Sequence, residues 1–207
     1  MIEMLLDTSS AHLLVSLLKD GKVLKSYKIE NCEKHSTKLL ETIDIVLKDN
    51  EISLSDIDTI YTVNGPGSFT GLRVGVTVAK MIGYTQKIKV KPISSLELMA
   101  STPFEGDFIA SYIDARRGYV FGGIYDKNLT PILEDTYILV EDFKNSFPQG
   151  KGVTTSYTPV EKLPVDVFPK EDPVKVVLKH REDAVQNPHL INPKYLKRTE
   201  AEEKRNV

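Results

Sequence analysis

Short apolar runs separated by turn residues open the chain. Runs at 1–6 and 13–18 precede a third that begins at Val23, and Asp20 and Gly21 stand between the last two. An Asp-Gly pair between two strand-like runs is typical of a β-hairpin. The pattern therefore predicts three short strands in an antiparallel meander.

Two later segments have apolar residues at helical spacing. The first predicted helix runs from about 36 to 49, with Ile45 on its otherwise polar face. The second runs from about 71 to 84, after a predicted strand at 59–63 and a Gly-rich loop at 64–70. It is apolar almost all round, so we expect it to be buried on more than one side. The apolar stripe of the first helix consists of Leu39, Leu40, Ile43, Val46 and Leu47.

The second helix carries a line of minimal side chains. Gly71, Gly75, Ala79 and Gly83 lie four residues apart. Each glycine in a helix interior costs about 1 kcal/mol relative to alanine, so the line indicates that another backbone comes close. Periodicity leaves two alternatives open: internal packing on the first helix, or a subunit interface made by both helices, to which Ile45 would add.

The second half of the chain repeats this arrangement more weakly. Strand-like runs at 108–114, 119–125 and 132–140 precede a short helix at 140–147, and a further helix is predicted at 174–181. Residues 148–173 are rich in Pro, Gly and Thr, and their structure stays undecided. A meander followed by helices, twice over, predicts a duplicated α/β architecture with mixed sheets. We place the subdomain boundary between 1–103 and a smaller 104–207 that ends in a charged tail.

Composition narrows the functional classes. The chain has 207 residues, of which 41% are apolar and 27% charged, and a net charge of −2 argues against a free-standing nucleic-acid binder. Any contact with nucleic acid must then be local or supplied by a partner. Cys32 is the only cysteine, which excludes an intramolecular disulfide. No secretory signal or membrane-length apolar run is recognisable, so we expect a cytoplasmic protein with no membrane partner.

Candidate chemistry is sparse. Gly65-Pro66-Gly67-Ser68 lies between a strand and a helix, which is the layout of an anion site. It lacks both the lysine of a P-loop and the GxGxxG pattern, so a tight turn is the slightly favoured interpretation. The histidines show no pair at ligand spacing and are most simply surface or packing residues; they are His12, His35, His180 and His189.

The segment from Asn64 to Lys80 resembles the signature of the TsaB (YeaZ) family. The residues Leu6-Asp-Thr-Ser9, His35-Ser36, Asp114-Ala-Arg-Arg-Gly118 and Pro193-Lys-Tyr-Leu-Lys-Arg198 also fit. The resemblance implies an actin-like ASKHA fold with two RNase H-like subdomains and mixed sheets, the second one reduced.

The resemblance also implies a function. Such a chain would be a non-catalytic scaffold that binds and activates its paralogue TsaD, which transfers threonylcarbamoyl to N6 of the adenosine next to the anticodon in tRNA. The ATPase TsaE would join them, tRNA would be met only through the complex, and a homodimer would form when the chain is alone. The two N-terminal helices would pack on the equivalent pair of TsaD, which favours the interface alternative. The expected interface residues are His35, Leu39, Ile45, Gly71, Val74, Gly75, Val78, Ala79 and Ile82.

Catalysis is not expected from this chain alone. TsaD-type proteins carry a metal-binding His-x-x-x-His pair whose ungapped positions here are Ser95 and Met99, and a thioether is a poor ligand for hard divalent ions. We therefore predict no catalytic or metal-binding residue and no cofactor for the chain by itself, with ATP or ADP and Mg possible at the interface with TsaD. A vestigial nucleotide site would consist of Asp7, Thr8, Ser9, Gly65 and Gly67. A strand-end turn is the simpler alternative for Asp7-Thr8-Ser9.

Three further points stay open. An independent actin-like ATPase or kinase, or a peptidase-like enzyme, is the competing function, although the chain has neither a His-Glu-x-x-His pair nor a clear second phosphate loop. Tyr119 departs from the resemblance, because many relatives have an acidic residue there. Lys194, Lys197 and Arg198 form a basic cluster that is either a solvated surface or a tRNA contact.

Overall fold

The computed structural model describes residues 1–184 and 187–197. The first half contains β1 (Ile2–Asp7), β2 (Leu13–Lys19), β3 (Lys22–Ile29), α1 (His35–Lys48), β4 (Thr59–Gly65), α2 (Phe69–Gln86), β5 (Lys89–Ser94) and α3 (Ser95–Ala100). The second contains β6 (Phe108–Arg116), β7 (Tyr119–Asp126), β8 (Pro131–Leu139), α4 (Val140–Asn145), β9 (Gly152–Thr155) and α5 (Pro173–His180). Short 3₁₀ turns lie at Leu54–Asp56 and Pro188–Leu190.

The first sheet has the strand order β3-β2-β1-β4-β5. Its first three strands pair antiparallel, and β4 and β5 add in parallel. The turn between β2 and β3 places Asp20 at φ 51° and Gly21 at φ 78°, the left-handed conformations that a two-residue hairpin turn needs. The predicted opening meander is therefore confirmed.

The second sheet repeats this order with one strand fewer, as β8-β7-β6-β9. Its meander is antiparallel, and β9 pairs in parallel with β6 as β4 does with β1. Where the first sheet has β5, the described part of the second has a single parallel bridge between Thr155 and Val167. The duplicated α/β architecture with mixed sheets and a reduced second copy is confirmed.

Three apolar clusters make up the core. One lies between the first sheet and helices α1 and α2, and another lies between the second sheet and α4. The middle cluster combines residues from both halves, including Leu5, Leu96, Tyr125 and Val176. The two sheets therefore share a core and depend on each other for burial.

The C-terminal segment returns to the first half. Lys91 Nζ donates hydrogen bonds to the carbonyl oxygens of His180 and Arg181, at 2.9 and 2.7 Å. Further along, the Lys194 N–H donates to the Asn64 carbonyl at 2.7 Å. The expected subdomain 104–207 therefore does not describe the packing, although the boundary near 103 does separate the two sheets. Arg198 and the rest of the charged tail lie outside the described residues.

Buried ion pairs fix α5 and the residue after it. Arg181 Nη2 lies 2.5 Å from an oxygen of the fully buried Glu3. Nearby, the buried Glu97 accepts hydrogen bonds from Lys179 and from His180 Nε2, at 2.5 and 2.8 Å. Burial alone lowers the pKa of His180, but its contacts with Glu97 and Asp183 outweigh that effect and hold the pKa above its ordinary value. These pairs attach α5 to α3 and the residue after it to β1 of the first sheet.

Within the described ranges, no helix is both long enough and apolar enough to cross a bilayer.

Candidate functional site: the paired helices and the adjoining cleft

Helix α2 begins at the Gly-rich loop and lies across the first sheet. Ser68 caps it, since its Oγ accepts a hydrogen bond from the Gly71 N–H at 3.2 Å. Its side chains pack mainly on β4, with further packing on β1, β5 and α1. A helix that contacts three strands and a helix needs apolar residues over most of its circumference, which accounts for its sequence.

The line of small residues on α2 faces the chain's own sheet. A Cβ added at Gly71 would lie less than 3.0 Å from the Thr8 carbonyl oxygen, and one at Gly75 would lie equally close to Thr8 Oγ1. At Gly83 the obstacle is Val90 of β5. The close approach indicated by the spacing is therefore internal. The prediction that Gly71, Gly75 and Ala79 face a second chain is wrong, because β1 and the core fill that space.

The other expected interface residues divide into buried and exposed ones. Leu39, Val78 and Ile82 belong to the core between the helices and the first sheet. Leu39 is fully buried and is therefore wrong as a contact residue, whereas Ile82 also lines the groove between the helices and Val78 the depression that continues it. His35 is half-buried, and its Nε2 lies 3.2 Å from the His12 carbonyl oxygen. Ile45 is exposed and Val74 is half-buried, and of these two only Val74 borders a depression between the helices.

The seam between α1 and α2 carries apolar surface that sequence reasoning did not assign to it. Leu40 is 46% exposed and Met81 49% exposed. They border a groove of about 520 Å³, and a shallower depression of about 310 Å³ continues along the same helix pair beside Val74. The groove is lined by Leu40, Ile43, Asp44, Leu47, Lys48, Ile52, Ser53, Leu54, Met81, Ile82 and Thr85. We call the apolar side chains along this seam, the exposed Leu40 and Met81 and the half-buried Val74, the helix-pair face.

The C-terminal segment covers the remaining side of α2. Lys80 Nζ donates to the His189 carbonyl at 3.0 Å, and the Tyr84 ring meets the His189 ring edge-on. Near the start of the helix the rings of Phe69 and Tyr195 stack with centroids 5.0 Å apart. The apolar circumference of α2 is therefore covered largely by its own chain, which corresponds to the internal-packing alternative.

A polar cleft of about 600 Å³ lies beside α1, between the two halves. Hydroxyl groups, ring nitrogens and amides line it, and no lysine or arginine is among the lining residues. Within the described residues, the buried His12 Nδ1 at this cleft has no hydrogen-bond partner. The lining residues are Ser9, Ser10, Ala11, His12, Asn31, His35, Ser68, Ile113, Ser156, Tyr157 and Thr158.

The Asp7-Thr8-Ser9 turn satisfies its own polar groups. Asp7 Oδ1 accepts the Ser9 N–H at 2.7 Å, and Thr8 Oγ1 donates to the Gly71 carbonyl at 2.7 Å. Burial raises the pKa of Asp7 to about 6, against the lowering effect of its hydrogen bonds from Ser9. The raised pKa means that ionising the Asp7 carboxyl group in its buried position costs folding free energy. The hydrogen bonds within the turn match the strand-end alternative.

The two loop glycines allow close contacts within the chain. A Cβ at Gly67 would lie less than 3.0 Å from the Ser9 carbonyl oxygen, and one at Gly65 would lie as close to the Lys194 carbonyl oxygen. Their φ angles of 156° and 137° are also unfavourable for other residues. The loop thus closes on the Asp7-Thr8-Ser9 turn, as the tight-turn interpretation predicts.

The two positions that the resemblance assigns to the TsaD metal ligands lie in the interior. Ser95 and Met99 are both buried in α3, and Ser95 Oγ donates to the Pro66 carbonyl. Across the described residues, no group of three or more His, Cys, Asp or Glu side chains is placed to hold a metal ion.

Two mixed sheets with the same strand order, a shared core and a polar cleft between them define a protein of the actin-like ASKHA class. Two solved structures have this fold. One, from Pseudomonas aeruginosa, is an uncharacterized protein with similarity to peptidase YeaZ; it is 21% identical, with a TM-score of 0.83 over 95% of this chain and 99% of that one. The other is YeaZ from the same organism, 21% identical, with a TM-score of 0.73 over 94% and 99%.

Sequence comparison then gives the family. The sequence model of TsaD, the tRNA N6-adenosine threonylcarbamoyltransferase, matches residues 29–166. The chain therefore belongs to the TsaD family, and the resemblance to its TsaB (YeaZ) members is confirmed by relatives that carry that name.

Two curated relatives show how far the likeness extends. The Bacillus subtilis tRNA threonylcarbamoyladenosine biosynthesis protein TsaB is 34% identical over 67% of this chain and 62% of its own length. The Haemophilus influenzae protein of the same name is 35% identical over 56% of this chain and 50% of its own. The matched part thus spans only half to three fifths of these relatives.

Proposed function

We propose that this chain is a non-catalytic scaffold subunit that binds and activates a TsaD paralogue. The resulting complex would transfer threonylcarbamoyl to N6 of the adenosine next to the anticodon in tRNA, in the cytoplasm. The observation that carries the proposal is the helix-pair face, an apolar groove on a chain whose relatives are named as threonylcarbamoyladenosine biosynthesis proteins.

The exposure on the helix-pair face supports pairing. Two large apolar side chains, Leu40 of α1 and Met81 of α2, are each more than two fifths exposed and line the same groove. Apolar surface of this kind gains about 25 cal/mol for each Å² removed from water, and its clustering marks a protein contact. An ion pair between Asp44 and Lys48, 2.7 Å apart, borders the groove and supplies the polar rim that such interfaces have.

The scaffold role is supported by the chemistry of the positions that would otherwise catalyse. Ser95 and Met99 replace the two imidazoles of a metal pair and are buried. The carboxylate of Asp7 and the hydroxyl of Thr8 are engaged within the chain. We infer that the chain contributes surface to the transferase rather than reacting groups.

The other partners follow from the same proposal. The ATPase TsaE would join the pair, and productive binding of tRNA would need the complex, so that any contact of this chain with RNA would be local. ATP or ADP with Mg would bind at the interface with TsaD. The absence of lysine and arginine from the lining of the polar cleft supports this placement, since a nucleotide phosphate needs cations that a partner could supply. Calorimetric titration of MgATP into the chain and into the complex tests it, and equal affinity for both would contradict it.

The direct test is size-exclusion chromatography with light scattering, on the chain alone and mixed with the TsaD paralogue of the same organism. We expect a one-to-one complex that replaces any homodimer, because both use the helix-pair face. A mixture in which the two proteins elute separately would remove the proposal.

The polar cleft supports one alternative function, that of an independent actin-like ATPase. Its volume of about 600 Å³ could hold a small ligand, and His12 Nδ1 is without a partner among the described residues there. ATP turnover by the isolated chain that is lost in Asp7→Ala would favour this alternative. Turnover at the background rate would favour the scaffold.

A further inference from the structure

One end of the second sheet presents three partly exposed aromatic rings, of which Phe121 also packs against the middle apolar cluster. Along β7, alternate side chains point to α4 and away from it. On the face away from α4, the six-residue helix α3 packs over the end that holds Tyr125, whose hydroxyl contacts Asp135. Tyr119 and Phe121 lie towards the other end of this face, and Tyr137 of β8 lies beside them. All three rings are partly exposed.

These rings are already arranged as a stack. The Tyr119 and Tyr137 rings are nearly parallel, at 8°, with centroids 4.5 Å apart. Phe121 lies 5.7 Å from Tyr137, and Lys197 Nζ lies 5.3 Å from the centre of the Tyr137 ring. Because the rings hold one another in place, a planar group that stacks on them loses little rotamer freedom of the protein.

Two arginines lie at the same end of the sheet, where Arg116 is the ladder partner of Tyr119. Arg116 and Arg117 form the tip of the turn between β6 and β7, both exposed and both with left-handed φ angles of 69° and 57°. Arg116 has one nearby acid, Asp114, at 3.8 Å, and Arg117 has no ion-pair partner among the described residues. Arginine is an unusual choice for two successive left-handed positions, where Asn and Gly are ordinary, so the turn holds its charges at a conformational cost.

The Asp135 carboxyl group at this surface is largely buried and hydrogen-bonded, so it adds little negative charge. Asp135 lies on the same sheet face, where burial, opposed by its hydrogen bonds from Ser94 and Tyr125, holds its pKa above its ordinary value. We call the set Arg116, Arg117, Tyr119, Phe121, Tyr137 and Lys197 the aromatic face. Partly exposed stacked rings bordered by cations are the features with which proteins bind unpaired nucleotides, because every base has a π-face and every linkage a negative charge.

We propose that the aromatic face binds unpaired nucleotides of the tRNA on which the complex acts. This inference rests on the proposed function for the identity of the RNA. It also fits the net charge of −2, because the cations are concentrated at one place while the chain as a whole is not basic.

Fluorescence anisotropy with a labelled single-stranded RNA of about 12 nucleotides tests the inference, with an RNA duplex of equal length as competitor. We expect Tyr119→Ala to weaken binding of the single strand about tenfold, and Tyr119→Phe to retain it, because stacking needs the ring and not the hydroxyl. Phe168→Ala is the matched control, since Phe168 is 70% exposed and lies outside the aromatic face. It should bind as the wild type does.

A second variant lies in the turn before β7, so that its effect does not depend on whether Tyr119→Ala disturbs that strand. Arg117→Ala removes one charge from an exposed turn and should lower the slope of log affinity against log salt by about one, whereas Arg117→Lys should keep the slope. The inference is overturned if the wild type does not bind the single strand, if the duplex competes equally well, or if Tyr119→Ala and Arg117→Ala bind as the control does.

The same titrations on the isolated chain and on its complex with the TsaD paralogue separate the two proposals. If the chain pairs normally with the TsaD paralogue but Tyr119→Ala does not change RNA binding, the proposed role of the aromatic face is refuted and the scaffold role stands. If the chain does not pair with the TsaD paralogue but RNA binding still depends on Tyr119, the scaffold role is refuted and the RNA-binding proposal stands.

Discussion

Substitution of Gly75 tests whether the small residues of α2 serve internal packing. The Gly75 backbone lies against Thr8, so that an added Cβ would come within 3.0 Å of Thr8 Oγ1, while Thr8 Cβ would stay at 3.6 Å. The obstacle to a methyl group is therefore a single side-chain oxygen.

The expected size of the effect follows from two opposing contributions. Overpacking a filled site costs about 1–3 kcal/mol. Alanine gains about 1 kcal/mol over glycine in a helix. We therefore expect Gly75→Ala to lower the free energy of unfolding by about 0–2 kcal/mol, which is at most about 8 °C in Tm for a chain of this size.

A double-mutant cycle with Thr8→Ala isolates the contact. Thr8→Ala alone should cost about 1 kcal/mol, since it deletes the buried hydrogen bond from Thr8 Oγ1 to the Gly71 carbonyl. In the double variant the oxygen is gone and the methyl group fits, so the two costs should fall short of additivity by about 1 kcal/mol or more. Urea unfolding of the isolated chain gives the free energy of unfolding of the wild type, the two single variants and the double variant. The measurement is repeated at several protein concentrations to remove any effect of dimers.

Additive costs would refute the internal packing of this line and would return Gly75 to the surface. The control is Thr77→Ala on the exposed side of the same helix, which should change the free energy of unfolding by no more than about 0.5 kcal/mol.

Three buried charges give further predictions. The pKa of Asp7 is raised from 3.8 to about 6, so wild-type stability should fall as pH rises through that window. Asp7→Asn should remove this dependence and be more stable than the wild type by about 1–3 kcal/mol above pH 6, with the advantage gone below pH 4. His180 has a raised pKa through Glu97, so its contribution is fully present at low pH and lost as pH rises through the folded pKa. His180→Gln should accordingly cost more stability at about pH 5.5 than at about pH 9, as urea titrations at both values would show. Arg181→Met leaves the buried Glu3 carboxylate unpaired and should cost about 3–5 kcal/mol, whereas adding Glu3→Gln should recover much of it.

The fold was largely predictable because its signals are local. The hairpin at Asp20-Gly21 and the apolar periodicity of α1 and α2 depend on residues near one another in sequence. Strand β9 was not predicted, because it has only four residues and its partner β6 lies some forty positions earlier. The sequence of residues 148–173 has no local pattern that indicates pairing with a strand so far away.

The partner surface was less predictable for a different reason. The spacing of Gly71 and Gly75 shows that something comes close to α2, but not whether it belongs to the same chain. The helical stripe of α1 included Leu40 without showing that the sheet covers Leu39 and leaves Leu40 in solvent. That distinction depends on the direction from which the sheet meets each helix, which a helical wheel does not contain.

The most direct test of the account is the affinity of the TsaD paralogue for Met81→Glu, measured by calorimetry beside the wild type and Phe168→Glu. Met81 and Phe168 are 49% and 70% exposed, so neither charge should disturb folding, but only Met81 lies on the helix-pair face. Burying an unpaired carboxylate costs several kcal/mol, so we expect Met81→Glu to weaken pairing by at least about 30-fold and Phe168→Glu to leave it unchanged. Wild-type affinity in Met81→Glu, or an equal loss in Phe168→Glu, would show that the chain does not pair through α1 and α2.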